Sequence, residues 1–330
     1  MEKPKKRVAV TGGSGQIAYN LLFRIANGDL LGYDQPIELA IHDLEEQCQT
    51  ILPGIVMELE DSRFPLLKDI KISSDPKVVF EDANLAILLG AKPRTAGMER
   101  RDLLLENAKI FEEQGKALNE KAAKDILVLV VGNPCNTNCL ITLCNAPDIP
   151  SERFHAMTRL DQNRASFQLA KKANISINDI SNITIWGNHS VNQVPDFVNA
   201  QINKKPLLEK IIDRKWLETD FMKIIQQRGS SIIKARGKSS AASAAQAVID
   251  AVRELINPTE EGKWFSSAIY SNDNSYGIQE GLVFSFPCIT TKEGECQIVD
   301  NLQLDDFLKE KIKLSEKELE QEKELIKHLL

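Results

Sequence analysis

Apolar residues in the first half of the chain fall into short runs, and amphipathic helical patterns separate these runs. The runs that predict strands are 7–11, 37–43, 69–73, 85–89 and 126–131. The run 126–131 is apolar throughout, which is typical of a central parallel strand buried on both faces. Because strand and helix patterns alternate to about residue 155, the sequence predicts an α/β fold with a doubly wound parallel sheet.

The pattern changes after residue 155. Helical periodicity marks 159–173, 216–236, 239–256 and 304–330, and extended runs mark 183–186, 190–202, 264–270, 281–287 and 297–299. The last three runs look like antiparallel strands, so we predict a first domain at 1–156 and a second domain at 157–330. The final helix is amphipathic, and its spacing is too irregular for a coiled coil. Its predicted docking residues are Leu308, Ile312, Leu319, Leu325 and Leu329.

The composition is that of an ordinary globular protein long enough for two domains. The chain has 330 residues, of which 42% are hydrophobic and 27% charged, and its net charge is −6. Such a chain lacks the clustered positive charge that nucleic-acid binding needs, so we expect no nucleic-acid partner. No apolar segment is long enough to span a bilayer, and no apolar run follows the basic first residues, so we expect no membrane association.

The six cysteines are dispersed along the chain, and no two of them have the C-x-x-C spacing of a zinc or redox site. We therefore expect no metal site. Free thiols in a chain of this size favour a reducing compartment, which predicts a cytoplasmic protein.

A glycine-rich turn lies between the first predicted strand and the first predicted helix. Gly13, Gly15 and Ala18 fit the pattern G-x-G-x-x-A, and Gly12 precedes them. Glycines let the backbone approach a pyrophosphate, whose charge then meets the helix N-terminus, and the small Ala18 lets the helix pack closely on the strand. A glycine motif alone is weak evidence, but a strand before it and a helix after it are what a dinucleotide-binding loop requires.

The second predicted strand ends at Asp43. An acid at this position typically accepts hydrogen bonds from an adenosine ribose and repels a 2′-phosphate, which favours NAD over NADP. Asp43 lies further than usual from the glycines, and the loop 27–36 accounts for the difference. Asp43 also fits the N-cap of a following helix, and the two roles are compatible.

Two further loops follow predicted strand ends. The loop 91–102 holds Arg94 and Arg100, which fit bidentate contacts to a carboxylate but equally fit a solvated basic loop. Proline and glycine break regular structure there, so this loop is predicted to move. Asn133 follows the strand 126–131 and fits either a hydrogen bond to a ribose or substrate oxygen or a plain Asn-Pro turn.

His189 follows the predicted strand 183–186 and a glycine. About two dozen residues earlier, Asp161 and Arg164 lie one helical turn apart on a predicted helix. If they face His189, the three residues form a proton-transfer pair beside an anion-binding cation. An isolated histidine more often caps a strand in a satisfied core, so His189 by itself does not decide between the two interpretations.

Seven segments together resemble malate dehydrogenases of the cytosolic type, in the lactate/malate dehydrogenase superfamily. They are TGGSGQIAYNLL, KPRTAGMERRDLL, VVGNPCNTN, TRLDQNRA, IWGNHS, KARGKSSAASAA and NSYG, and they occur in the order of that family. The resemblance implies a Rossmann domain followed by an α+β catalytic domain. It also implies NAD as the cofactor, a small dicarboxylate (malate or oxaloacetate) as the substrate, and a homodimer.

The resemblance further implies roles for individual residues. His189 becomes the proton donor and acceptor, and Asp161 becomes its partner. The implied substrate-binding residues are Arg94, Arg100, Asn133 and Arg164. The implied cofactor-binding residues are Gly12, Gly13, Ser14, Gly15, Gln16, Ile17, Ala18, Asp43, Asn107, Gln114, Val131, Gly132 and Asn133. The sequence departs from relatives at Lys92, Thr95, Ala96 and Cys135, and none of these changes removes a functional group.

The resulting expectation is reversible NAD-dependent oxidation of (S)-malate to oxaloacetate, in which His189 exchanges the hydroxyl proton. Arg164 and Arg94 would each bind one carboxylate, and Arg100 would polarise the reacting oxygen. Two alternatives remain open. One is a dehydrogenase for lactate or another 2-hydroxy acid, which would favour a neutral residue in place of Arg94. The other is an NAD-binding module without catalytic activity.

Overall fold

The computed structural model describes residues 3–92, 100–292 and 294–330, without the side chain of Arg100. Its strands are β1 (Lys6–Thr11), β2 (Ile37–His42), β3 (Leu67–Ser73), β4 (Leu85–Leu88), β5 (Leu127–Val130), β6 (Phe154–Ala156), β7 (Ile180–Ser181), β8 (Ile185–Trp186), β9 (Val194–Pro195), β10 (Gln201–Ile202), β11 (Lys205–Pro206), β12 (Phe265–Tyr270), β13 (Val283–Thr290) and β14 (Cys296–Ile298).

The helices are α1 (Gln16–Asn27), α2 (Glu45–Thr50), α3 (Leu52–Asp61), α4 (Pro76–Phe80), α5 (Arg100–Lys121), α6 (Cys135–Cys144), α7 (Arg159–Ala173), α8 (Arg214–Trp216), α9 (Met222–Gln226), α10 (Arg228–Arg236), α11 (Ala242–Ile256) and α12 (Asp306–Ile326). A π-helical turn lies at Leu217–Phe221, and 3-10 turns lie at Ser151–Arg153, Ile177–Asp179, Leu207–Glu209 and Lys327–Leu329.

The first six strands form a parallel sheet in the order 3-2-1-4-5-6, which confirms the predicted doubly wound α/β fold. Antiparallel β12, β13 and β14 extend it to nine strands within the described part of the chain, because Ala268 pairs with Ala156. These three strands are antiparallel as predicted. The sequence pattern did not reveal that they continue the sheet of the first half, because the connecting strand β6 has only three residues.

Helices cover both faces of this sheet. Helices α1, α3 and α11 pack on one face, in a cluster that contains Leu21, Val248 and Leu129. Helices α4, α5 and α6 pack on the other face, in a cluster that contains Phe111 and Val130. Since neighbouring residues of β5 enter opposite clusters, this strand is buried from both sides, as its unbroken apolar run predicted.

The second half departs from the predicted elements in two places. The predicted helix 216–236 is divided into α8, the π-helical turn, α9 and α10, and the predicted extended segment 190–202 contains only the short strands β9 and β10. The last helix begins at Asp306, where the side chain of Asp305 accepts from the backbone N–H of Leu308. Leu308, Ile312 and Leu319 are buried as predicted, whereas Leu325 is 36% exposed.

The described ranges contain no helix that is both long and apolar enough to cross a bilayer. All six cysteines lie in these ranges, and each is a free thiol. Burial raises the pKa of Cys135, Cys139 and Cys288, so these three thiols act as small core residues.

The contact between α5 and α6 depends on a glycine, and this predicts a stability change. A Cβ added at Gly115 would lie 2.6 Å from the carbonyl oxygen of Thr142 and 2.9 Å from Cβ of Asn145. We expect Gly115→Ala to destabilise the fold by about 1–3 kcal/mol, because the methyl group forces the two helices apart. Urea unfolding followed by circular dichroism measures the change.

The matched control is Gly229→Ala in α10, since no described atom lies within 4 Å of a Cβ at Gly229. This variant should be neutral or stabilising by up to about 1 kcal/mol. Equal unfolding midpoints for the two variants would contradict the prediction.

Candidate functional site

The carboxyl ends of β1 and β4 meet where the strand order reverses. A Cβ added at Gly12, whose φ is +69°, would lie 2.7 Å from Cα of Gly90, so the two strand ends approach each other as only glycine allows. In open α/β sheets, ligands bind in the crevice at such a switch point. The candidate site therefore lies at this edge of the sheet.

The glycine turn directs the N-terminus of α1 towards this crevice. Gly15 is the N-cap residue of α1, no side chain of the described residues caps this helix, and its first turn contains no acid. The backbone N–H groups in the first turn of α1 are therefore available to an anion. Ala18 is buried beneath the turn, where it lets α1 pack on the sheet. These features fit the pyrophosphate of a dinucleotide.

Asp43 lies directly beside the glycine turn. Its Oδ2 accepts from the backbone N–H of Ser14 at 2.8 Å, and its Oδ1 accepts from the N–H of Leu44 at 2.8 Å. The alternative that Asp43 caps α2 is wrong, because Leu44 is the N-cap residue of that helix and no side chain in the described ranges caps it. The carboxylate is thereby held at a fixed place next to the turn.

Asp161 contacts both His189 and Arg164. The side chain of Asp161 is fully buried, its Oδ2 is hydrogen-bonded to Nδ1 of His189, and its Oδ1 accepts from Nη1 of Arg164 at 3.0 Å. Burial by itself would raise the pKa of Asp161, but His189 and Arg164 outweigh this effect and hold the pKa below its usual value. An ionised carboxylate therefore orients the imidazole through Nδ1, and Nε2 is left to exchange a proton with a ligand.

Arg164 also bonds to a residue near the start of α11. Its Nη2 donates to Oγ of Ser240 at 3.1 Å, and Ser240 lies just before α11. Ser240 lines a cavity of about 670 Å³ that is also lined by Ser14 and Gln16 of the glycine turn. Arg164 therefore contacts a residue that borders the same cavity as Ser14 and Gln16.

The loop that carries His189 is held by a residue next to the tip of β5. Asn136, in the first turn of α6, is fully buried, and its Oδ1 accepts from the backbone N–H of His189 at 3.0 Å. Its Nδ2 donates to the carbonyl oxygens of Gly187 at 3.2 Å and Val283 at 3.0 Å. One amide side chain therefore fixes the histidine loop relative to Asn133, three residues earlier.

Two family models match consecutive parts of the chain. The NAD binding domain of lactate/malate dehydrogenase matches residues 6–155, and the alpha/beta C-terminal domain of lactate/malate dehydrogenase matches residues 158–330. The chain belongs to the lactate/malate dehydrogenase family. It is therefore an oxidoreductase with the NAD-binding domain of this family, and the resemblance found in the sequence is confirmed.

Relatives of this dehydrogenase include a malate dehydrogenase from Protochlamydia amoebophila, which is 57% identical over 330 residues, or 100% of this chain and 99% of the relative. The chloroplastic NADP malate dehydrogenase of Flaveria bidentis is 53% identical over 322 residues, or 98% of this chain and 71% of the relative. The family thus includes close relatives that are named for NADP.

Solved structures with the same fold include enzymes named for malate and enzymes named for lactate. The malate dehydrogenase of Naegleria fowleri aligns with a TM-score of 0.96 at 45% identity and covers 100% of both chains. The lactate dehydrogenase of Trichomonas vaginalis, in complex with NADH and oxamate, aligns with a TM-score of 0.94 at 36% identity over 98% of each chain. The expected Rossmann domain followed by a catalytic domain is confirmed by these alignments.

Several other residues that the resemblance implied for this dehydrogenase are buried. Asn107 accepts from the N–H of Lys92 at 2.7 Å and donates to the carbonyl oxygen of Asn133 at 3.1 Å, so its amide ties two loops of the site together. Gln114 is buried in α5, and its Oε1 has no hydrogen-bond partner among the residues described. The cofactor-binding role of both amides stays a prediction.

The structure describes some of the remaining predicted site residues in full, others in part and one not at all. Val131 and Gly132 are buried at the end of β5, and both N–H groups donate to the carbonyl oxygen of Leu88. The side chain of Asn133 is exposed at this tip. Arg94 lies outside the described residues, as does the predicted motion of its loop. Arg100 is the first residue of α5, but its side chain is not described.

Sequence reasoning missed Asn136, which accepts from the backbone N–H of His189, and Ser240, which accepts from Arg164. Both lie inside segments that carry the family resemblance. Small polar residues are common in turns and at helix starts, so neither position stands out until its long-range partner is known.

The pKa of Asp161 predicts how the stability of this dehydrogenase depends on pH. A carboxyl group whose pKa is lower in the folded state than in the unfolded state stabilises the fold above its unfolded pKa, which is about 3.9. This contribution is lost as the pH falls through the folded pKa. We therefore expect Asp161→Asn to cost of the order of 3 kcal/mol at pH 7, where Arg164 loses its buried anion.

The difference in unfolding free energy between the wild type and Asp161→Asn should narrow below about pH 4, because Asp161 of the unfolded wild-type chain then binds a proton before the folded protein does. Denaturant unfolding from pH 3 to pH 8 measures it, with the exposed Asp220→Asn as the control. A gap that is the same across this range would contradict the assignment of an ionised Asp161.

Proposed function

We propose that this chain is a malate dehydrogenase that uses NAD to oxidise (S)-malate reversibly to oxaloacetate. The observation that carries the proposal is the contact of the buried, ionised Asp161 with both His189 and Arg164. Family membership and the names of the Protochlamydia and Naegleria relatives support it.

Bound NAD would supply the hydride acceptor for the carbon that bears the hydroxyl group. Nε2 of His189 accepts the hydroxyl proton, and the ionised Asp161 orients the ring and stabilises the imidazolium that forms. Proton transfer of this kind accelerates a reaction by about 10²–10⁴-fold. Arg164, whose position Asp161 and Ser240 support, binds one substrate carboxylate with its remaining N–H groups.

The second carboxylate of the substrate needs a second cation. On the strength of the family resemblance, we assign it to Arg94, the polarisation of the reacting oxygen to Arg100, and a further substrate contact to Asn133. The alternative substrate is lactate or another 2-hydroxy acid, which the name of the Trichomonas relative keeps open. Against it, pyruvate would leave Arg94 without a carboxylate partner, which costs several kcal/mol in a closed site.

The choice of NAD over NADP rests on Asp43. A carboxylate held beside the glycine turn accepts ribose hydroxyls and repels a 2′-phosphate. The Flaveria relative is named for NADP, so NADP is the alternative. We propose the other cofactor contacts as the sequence implied them, at Gly12–Ala18, Asn107, Gln114 and Val131–Asn133, and the domain division at residue 156.

We also propose a homodimer, as the family resemblance implied, and two exposed large side chains that line one cavity support it. Tyr19 and Ile51 are 43% and 47% exposed, and they line one cavity together with Ile232. Sedimentation should give twice the 36.9 kDa chain mass, and Ile51→Glu should shift it towards one chain. Tyr33→Glu, at an exposed position elsewhere, is the control. A wild-type mass of one chain at micromolar concentration would refute the dimer.

A cytoplasmic location is the last part of the proposal, and the six free thiols support it. A disulfide found in protein isolated from its native source would contradict it.

Steady-state loss of NADH absorbance tests the reaction directly. We expect turnover of oxaloacetate with NADH to exceed turnover of pyruvate by at least about 10²-fold, since an unpaired buried cation costs several kcal/mol. NADPH should be used less well than NADH. Equal rates with pyruvate would refute the dicarboxylate assignment, and equal rates with NADPH would refute the assignment of Asp43.

His189→Asn separates an enzyme from a module that only binds the cofactor. The variant should bind NADH as the wild type does and lose about 10²–10⁴-fold in kcat, because it has no group to exchange the proton. The control is His328→Asn, since His328 is exposed near the end of the chain. Unchanged turnover in His189→Asn would overturn the mechanism.

A further inference from the structure

The C-terminal helix α12 packs directly against the backbone beside His189. The N–H of Asn188 donates to Oγ of Ser315 at 2.8 Å. A Cβ added at Gly187, whose φ is +90°, would lie 2.1 Å from the same Oγ, so only glycine allows this approach. The last helix of the chain therefore borders the loop that carries the proposed proton-transfer group.

Two carboxylates of α12, one turn apart, bind the residues on either side of His189. Oγ of Ser190 donates to Glu318, and Nδ2 of Asn188 donates to Oε2 of Glu318 at 3.0 Å and to Oε1 of Glu322 at 3.2 Å. The side chains before and after the histidine are thus both held by α12, while the imidazole itself is held by Asp161.

Glu322 also reaches the other half of the site. Its Oε2 accepts from Oγ1 of Thr137 in α6, and the two residues are 5% and 2% exposed. Thr137 follows Asn136, whose side chain accepts from the backbone N–H of His189. The contacts therefore form a closed ring, from α6 through Glu322 to Asn188 and His189, and back through Asn136 to α6.

A buried carboxylate is a costly way to fill this space. Removing its charge from water costs several kcal/mol, and an apolar side chain of similar volume stabilises a core at least as well. The carboxylate instead fixes the position of the histidine loop relative to α6, because one of its oxygens accepts from each of them. Catalysis depends on the position of the reacting groups, since a misplacement of about 1 Å can cost about 10²-fold in rate.

We propose that Glu322 is a positioning residue, which sets the place of His189 relative to the tip of β5 by bridging Asn188 and Thr137. The kinetic part of this inference rests on the proposed function. The structural part does not, because the bridge acts on the histidine loop whatever the substrate is. The role requires two hydrogen bonds and does not require the negative charge.

Three variants of the full-length chain test the bridge. Glu322→Leu removes both acceptor oxygens. Glu322→Gln keeps two hydrogen bonds, because its amide can accept from Asn188 and donate to the hydroxyl oxygen of Thr137. The control is Glu324→Leu, which changes a 75%-exposed side chain of the same helix. We expect kcat for oxaloacetate to fall about 10–10²-fold in Glu322→Leu, with KM for NADH within about twofold. Glu322→Gln should recover most of kcat, and Glu324→Leu should match the wild type.

A second measurement does not depend on turnover. The Nδ1 proton of His189, bonded to Asp161, should give a downfield proton resonance, which should shift or broaden in Glu322→Leu and stay in place in Glu322→Gln. If wild-type enzyme does not reduce oxaloacetate, the proposed function fails, and this resonance still tests the bridge. If Glu322→Leu does not fold, Thr137→Val removes one end of the bridge and should lower kcat in the same way.

The proposal is overturned if kcat and the resonance of folded Glu322→Leu both match those of Glu324→Leu. It is also overturned if Glu322→Gln loses as much as Glu322→Leu, because the charge, and not the bridge, would then be what matters.

Discussion

The site depends on one buried, ionised carboxylate, which must be hydrogen-bonded to stay charged. Asp161 has no exposed surface, so its charge is stable only while both oxygens are bonded to positive or donating groups. His189 and Arg164 supply these groups, and they also hold the pKa of Asp161 low. The same bonds fix the imidazole and the guanidinium relative to each other. Stabilising the buried charge and arranging the site are therefore one physical requirement.

The sheet carries this arrangement across the molecule. Strand β13 belongs to the same sheet as the glycine turn, and its residue Ser285 exchanges two backbone hydrogen bonds with Gly187, at 3.0 and 3.1 Å. Asn136 adds a bond to Val283 of the same strand. The histidine loop and the glycine turn are thus attached to one continuous set of strands. This attachment fixes the separation between the histidine loop and the glycine turn, which are far apart in the sequence.

Strands β1, β2, β4 and β5 were predictable because most of their residues are buried, and burial leaves an apolar run in the sequence. Strands of two or three residues, such as β6 and β7, leave no run that exceeds chance. The predicted helix 216–236 failed for a different reason. Its periodicity continues through Leu217–Phe221, where the chain forms a π-helical turn that an apolar pattern does not distinguish from an α-helical one.

The site was less predictable than the fold, because its contacts are long-range. The glycine turn and Asp43 are local signals, and they were found from the residues alone. The roles of His189, Asp161 and Arg164 needed the family resemblance. Asn136 binds Gly187, 51 residues later, and Thr137 binds Glu322, 185 residues later. Hydrogen bonds between such distant segments leave no periodicity or spacing in the sequence, so neither residue was found.

The described part of the site defines the reaction class more sharply than the substrate. A histidine oriented by a carboxylate beside one arginine suits any 2-hydroxy acid, because all such acids share the hydroxyl group and the adjacent carboxylate. What separates a dicarboxylate from lactate is a second cation at the far end of the ligand. The sequence offers such a cation at Arg94, which lies between β4 and α5 in the sequence and outside the described residues. A site built on Asp161, His189 and Arg164 therefore needs a further group at the far end of the ligand to select its substrate.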